Sequence, residues 1–458
     1  TCNTITGAET GIRLLGSSFN VITLNDLTGN DYAVKVDASW QTGVYVQSAN
    51  NEINTNNISG NALYGILVGV QQTEITNAEA NWWGHASGPS GEGYGSGDAI
   101  SSYVDFVPWC AEADCDPLAS PPVHNINQDT YYLTIQEAIN EADSEDTIEV
   151  SAGTYIEQVV INKSLTLMGL DSPIIRSPGS VVAYQYPESS KWWEPVVFAF
   201  GGTADPVSHV ITGTETISVY MDGFIVDGDN YAPASGHRTA GILLRNVDGE
   251  IKANTVQNIL IDGFETFGIM VQGDSPIIID SNTVNGYSRG GISANGDLSI
   301  GIDPVATISN NIVIGPGMGV DVTWAPNGIQ IGWGASGSIT ANQVSGNGWP
   351  GTDWSGSGII VAGADNVVVE TNDVHDNETG IAVVGDVFFG TNDAATSNII
   401  RNNNVEDNTY GIQVQSLSVD TIIFSNTITG SSYDGIDVWG TPAPTGPVIT
   451  NNRINGNN

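Results

Sequence analysis

Basic residues are scarce in this chain: 11 Lys and Arg stand against 51 Asp and Glu among 458 residues, giving a formal charge of −40. The acids are ordinary in number for this length, so the imbalance comes from missing bases. That balance argues against nucleic acid and anionic membranes as partners, because both are bound through basic patches. It also points to a surface screened by divalent cations or a salty medium. Cysteine is equally sparse, at three residues, so disulfides do not hold the fold together. No apolar run reaches transmembrane length, and no signal peptide is visible. The chain begins at Thr1 rather than Met, which fits a targeting segment removed or omitted. Helical spacing of apolar residues is nearly absent. With 40% hydrophobic residues and 55 glycines the sequence is neither disordered nor membrane-spanning, and it is long enough for two domains.

What is present is repetition. From Gly241 onward a Gly-Ile-x-aliphatic pattern recurs at Gly241, Gly268, Gly291, Gly328, Gly358, Gly380, Gly411 and Gly435. Between these falls an aliphatic-x-x-Asn-x-aliphatic pattern centred on Asn254, Asn282, Asn311, Asn342, Asn372, Asn403, Asn426 and Asn452. The step from Gly to Asn is usually 13 to 15 residues and the step back to Gly is as short as 8, so a minimal repeat has about 22 residues. Period-two runs such as Ile329, Ile331 and Ile412, Val414 mark short strands, broken by Asn and Gly where a positive φ is expected. Short strands joined by tight corners predict an all-β, right-handed parallel solenoid with an aliphatic interior. The Asn at one corner of each coil is expected to stack on those above and below, its amide satisfying buried backbone groups.

These repeats resemble the right-handed parallel β-helix superfamily, the pectate-lyase-like proteins, and in style the β-helix repeat modules of microbial and archaeal cell-surface proteins. The resemblance covers nearly the whole chain. It implies the fold and leaves activity open, since the same coil carries lyases, hydrolases, epimerases, adhesins and inert scaffolds.

The alternation also runs through Asn3, Gly11, Asn25, Gly43, Asn56 and Gly65. Residues 1–81 therefore read as the C-terminal coils of one β-helix. Residues 82–122, from Trp82-Trp83-Gly84 through Trp109 to Ser120-Pro121-Pro122, lack the coil pattern; they resemble a closing cap and end in a stiff linker. Cys110 and Cys115 are expected to pair around an acidic loop, which leaves Cys2 either bonded between chains or buried as a thiol. Residues 123–240 read as the capped start of a second β-helix with a long insertion, where Ile135, Ala138, Ile139 and Ala142 supply the one amphipathic helix. Residues 241–458 are regular coils with an open C-terminal end. Two stacked or linked β-helical segments are thus predicted, and an open coil end invites another chain. Head-to-tail stacking of copies is the expectation that follows.

Chemistry-bearing residues gather in three lengthened coils, 285–290, 315–327 and 345–357, which a solenoid places side by side. Tyr287, Trp324, Trp349 and Trp354 suit the apolar faces of sugar rings. If the chain is an enzyme, Arg289, Asp321 and Asp353 are the catalytic candidates, in a lyase or a glycoside hydrolase; a loop anchor is the alternative for Arg289. No adjacent Asp pair, Gly-His-Gly or Arg-Ile-Lys motif of pectin-hydrolysing relatives is present. A second cluster, Lys191-Trp192-Trp193-Glu194 with His237-Arg238, forms either a side wall of that cleft, a lateral contact surface or packing of the insertion. Asn57, Asn162 and Asn377 begin glycan-acceptor triplets. Asp227 and Asp229 are the best short calcium-like pair, and Ca2+ is the only cofactor suggested; a plain turn is the alternative. The function expected is a non-catalytic extracellular or cell-surface protein that assembles with copies of itself and holds polysaccharide, without nucleic acid or membrane insertion. The alternatives are a polysaccharide-cleaving enzyme and a carbohydrate-binding adhesin module that does not assemble.

Overall fold

The computed structural model describes residues 3–113, 115, 118–297, 300–320, 322–351, 354–386 and 393–457. The chain forms two compact units, 1–121 and 122–458.

The first unit winds three parallel sheets of three, five and four strands. Its interior is filled by Leu27, Val34, Ile53, Ile58 and Ile66, all fully buried. The segment after Trp83 departs from expectation, because it is itself part of the winding. Gly97–Ile100 pairs in parallel with Tyr64–Val68, and Val104–Asp105 with Thr76–Asn77. Its Gly and Ser content hides the strand pattern, and Gly97 is required because a Cβ there would lie 2.8 Å from the Gly88 carbonyl. Trp83 and Trp109 close this core, and Cys110 and Cys115 form a disulfide with Cα atoms 4.4 Å apart.

The second unit opens with Val123–Asn125, antiparallel to both Thr130–Tyr132 and Thr147–Val150. Helix α1, Ile135–Glu141, starts at Thr134, whose hydroxyl accepts from Glu137 N, and buries Ile135, Ala138 and Ile139 over the end of the core. Thereafter the chain repeats three strands per coil, building sheet I of 13 strands, sheet II of 11 and sheet III of 10. One coil runs Val305–Ser309 in sheet I, Ile312–Ile314 in sheet II and Asn327–Gly332 in sheet III. The next, in register, is Ser336–Thr340, Gln343–Ser345 and Ser357–Ala362. Alternate side chains such as Ile308, Val313, Ile329 and Ile331 are fully buried. Each contributes about 1.5–3 kcal/mol by leaving water.

The Asn column turns sheet I into sheet II. Asn254, Asn282, Asn311, Asn342, Asn372, Asn403, Asn426 and Asn452 are linked amide to amide at 2.9–3.2 Å. The positive φ expected there belongs instead to the preceding residue, which is Ala, Ser or Thr at Ala253, Ser281, Ala341, Thr371 and Ser425, Asn at Asn310, Asn402 and Asn451, and glycine in none of these coils. The repeat glycines have ordinary φ and are needed for space. A Cβ on Gly358 would meet Val374 Cγ1 at 2.7 Å and the Gly380 carbonyl at 2.8 Å. A second amide column, Asn347, Asn377 and Asn408, turns sheet II into sheet III. In the last coil Ile449 and Ile454 pair with the buried Ile423 and Ile428, yet are 42% and 49% exposed. No helix among the described residues is long and apolar enough to cross a membrane.

Candidate functional site

Sheet III differs from its neighbours in being covered on both faces: Thr239–Arg245, Thr266–Gln272 and Asn327–Gly332 are buried at every position. Over the early coils the cover is the insertion, whose Tyr184, Tyr186, Trp193 and Ile211 pack on Leu243, Phe267 and Met270. The insertion is locked down by Glu188 and Arg245, a two-pronged ion pair at 2.7 and 3.0 Å with both side chains almost fully buried. Arg245 also donates to the carbonyls of Gly201 and Gly213. Such a pair is satisfied only as a whole, since either charge alone would be stranded in the interior. Neither residue stood out in the sequence, because their 57-residue separation carries no local signal.

Over the later coils the outer face of sheet III floors a groove made of two hollows, of about 400 and 410 Å³. Arg238, Glu265, Arg289, Gln330 and Trp333 line both, so the hollows are continuous. Matched registers build the floor: Ser293 faces Gln330, Gln330 faces Ile360 and Ile360 faces Ala382. Gln330 donates to Asn295 at 2.7 Å. The floor is therefore polar at one end and aliphatic at the other. One wall is the insertion, through Ser189 and Lys191; the other carries Trp324 and Trp354, 46% and 51% exposed.

Charge is concentrated at the junction. Arg238 Nε donates to Glu265 at 2.6 Å and its guanidinium lies 5.7 Å from the Trp193 ring. Arg289 is half-buried and donates to the Ala325 carbonyl at 2.6 Å, with no ion pair among the described residues. Burial draws its pKa down from the usual guanidinium range, and the Glu265 carboxylate works against that shift. It stays charged at any physiological pH.

Of the aromatic candidates, Trp324 and Trp354 line the groove. Trp349 is half-buried and pins its loop, its indole N–H donating to the Val322 carbonyl at 2.9 Å. Glu378 holds the same loop by accepting from Trp349 N and Gly356 N. Tyr287 corrects the expectation of a cleft ring: it is fully buried in the coil interior, where its hydroxyl donates to Asn347 at 2.7 Å. Asp321 and Asp353 lie outside the described residues, as does Cys2. The Lys191–Glu194 cluster divides. Lys191 lines the groove, Trp193 is fully buried in the insertion, and Glu194 is bonded to Tyr231 and His237, each at 2.6 Å. Burial, reinforced by Glu194, pushes the Tyr231 hydroxyl up to about 12.

The other candidates lie elsewhere. Asn377 is fully buried in the second amide column, which removes it as a glycan acceptor. Asn57 bonds Asp26, and Asn162 is exposed. Asp227 is occupied by Asn258 and by the N–H of Asp229 within a turn, and by Arg176. Although burial works to raise its pKa, those partners hold it below the usual carboxylate range. No cluster of three potential metal ligands occurs among the described residues. Sequence reasoning missed Trp333, Arg238 as a shared junction residue, and Glu265; the insertion that brings them together has no repeat to read.

Residues 240–458 match the family model described as "Right handed beta helix region". The chain is 31% identical over 149 residues to a cell surface glycoprotein of Methanothermus fervidus, a match of 32% of this chain that spans 19% of that protein. Among solved structures it is similar to the mannuronan C-5 epimerase A-module of Azotobacter vinelandii, at 15% identity and TM-score 0.43, over 71% of this chain and 94% of that one. It is also similar to an alginate lyase of Paenibacillus sp., at 13% identity and TM-score 0.39, over 70% of this chain and 96% of that one. The three-sheet coils and the amide columns make this chain a parallel β-helix, and its residues 240–458 are the part that matches the right-handed family.

Proposed function

We propose that this chain works at a cell surface and holds a polysaccharide in the groove over sheet III. The observation that carries the reading is convergence: Lys191, Arg238 and Arg289, out of 11 basic residues in the chain, meet Trp324, Trp333 and Trp354 on one face. Indole faces cover the apolar faces of pyranose rings, while guanidinium, ammonium and carboxylate groups bond the substituents. The relative named as a cell surface glycoprotein supports the location. The groove runs across successive parallel strands about 4.8 Å apart, so it is elongated along the stack of coils, as an extended chain of sugar units requires.

Binding is tested by affinity electrophoresis of the purified protein against polygalacturonate, xylan, mannan and laminarin. Retardation by at least one, weakened about tenfold or more by Arg289→Gln with the fold intact by circular dichroism, supports the reading. Free migration in all four gels contradicts it. A second reading, end-to-end assembly, draws on the fold itself: coils of one kind stack in register, and an unpaired strand edge accepts another like it, from a copy of this chain. Negative-stain microscopy with and without calcium separates the two: regular filaments support assembly, and isolated rods under both conditions contradict it.

A further inference from the structure

Trp333 stands where the coil leaves sheet III, with φ of 53°. At the same place in three other coils the left-handed conformation is taken by Asn246, Gly273 and Gly363, at φ of 53°, 69° and 56°, while Gly201, Gly296 and Gly385 fill it in three more without a positive φ. The registers fix the equivalence, since Arg245 pairs with Gln272 and Gly332 with Ala362. Asn and Gly are the residues for which that conformation is least costly; a bulky side chain there is strained. The backbone gives no reason for Trp, because the bond it makes, from its N–H to the Ala362 carbonyl at 2.7 Å, is available to any residue but proline.

The side chain does have a place. Trp333 is half-buried and lines both hollows, at the junction with Arg238, Glu265 and Arg289. We infer that Trp333 is the stacking platform of the groove, kept against backbone preference because its indole supports a pyranose ring beside the Arg289 guanidinium. The inference rests on the polysaccharide reading and adds a residue to it. Strain at a binding surface is expected where function, not folding, selects the side chain. Stacking supplies the apolar contact, and Arg289 and Glu265 then select the substituents of that ring.

The test replaces Trp333 by the residues its neighbours use. Trp333→Gly and Trp333→Asn are each measured for thermal unfolding and for affinity electrophoresis in polygalacturonate, xylan, mannan and laminarin. Expected is a Tm within about 2 °C of the parent, with retardation weakened tenfold or more in the gel that retards the parent protein. As a comparison, Trp193→Gly, which empties a fully buried site in the insertion, lowers Tm strongly. A Tm loss in both Trp333 variants as large as that of Trp193→Gly overturns the inference, since Trp333 then serves packing. Undiminished retardation of both variants overturns it too, while leaving the groove reading intact. If the parent protein is not retarded in any gel, the groove reading fails, and this inference with it.

Discussion

The smallest unit of this fold is an amide that serves four neighbours at once. Asn342 accepts from the backbone and side chain of Asn311, and donates to Asn372 and to the Ile308 and Thr340 carbonyls, at 2.9–3.1 Å. Four of these five bonds are buried, so removing the amide strands several groups at about 1–3 kcal/mol each. Asn342→Ala is expected to lower unfolding free energy by about 3 kcal/mol in a denaturant titration. The repeat glycine acts by absence. In Gly358→Ala the new methyl group meets Val374, Asn377 and Gly380 within 2.8 Å, and overpacking of that kind costs about 1–3 kcal/mol. Both positions were legible in the sequence, because each recurs at the coil period. Their physical reasons were only half legible: the glycine was read as a supplier of positive φ, and the structure shows that it makes room.

At the scale of elements, the insertion and the lengthened loops make the groove, and buried acids hold the insertion and one of those loops. Glu188→Gln would leave Arg245 buried opposite a neutral amide, for an expected loss of about 3–5 kcal/mol. Glu378 holds the loop that carries Trp349 and Trp354. Burial raises its pKa, and the hydrogen bonds it accepts from Gly356 and Trp349 only partly oppose this. The folded state then binds the proton more tightly than the unfolded state. The stability so gained is full below the ordinary Glu pKa and is lost as pH rises through the raised value. Thermal unfolding of Glu378→Gln between pH 4 and 7 should therefore show a flatter profile than the parent. These contacts could not be read from the sequence. Repeats announce themselves by period, whereas the partners of Arg245, Arg238 and Tyr287 lie 57, 27 and 60 residues away with no pattern between them.

For the whole molecule, a charge of −40 spread over two compact units means self-repulsion at low ionic strength. With a screening length of about 30 Å at 0.01 M and 8 Å at 0.15 M, added salt should raise Tm, and a divalent cation should do so at lower concentration. A Tm independent of salt would show that the acids are already neutralised locally. Against that field the groove is distinctive. Its three bases face Glu265, Asp297 and Asp386, with Glu188 and Arg245 paired, so it is locally close to neutral. Composition signalled the shortage of bases but could not show where the few were placed, because Lys191, Arg238 and Arg289 come together only through the winding of the coils.

The most direct test of the central claim is a crystal structure of this protein with an oligosaccharide from whichever polysaccharide retards it. The account predicts electron density along the outer face of sheet III, with one sugar ring stacked on Trp333 and within hydrogen-bond reach of Arg289. Density on another surface, with the groove empty at saturating ligand, would contradict it.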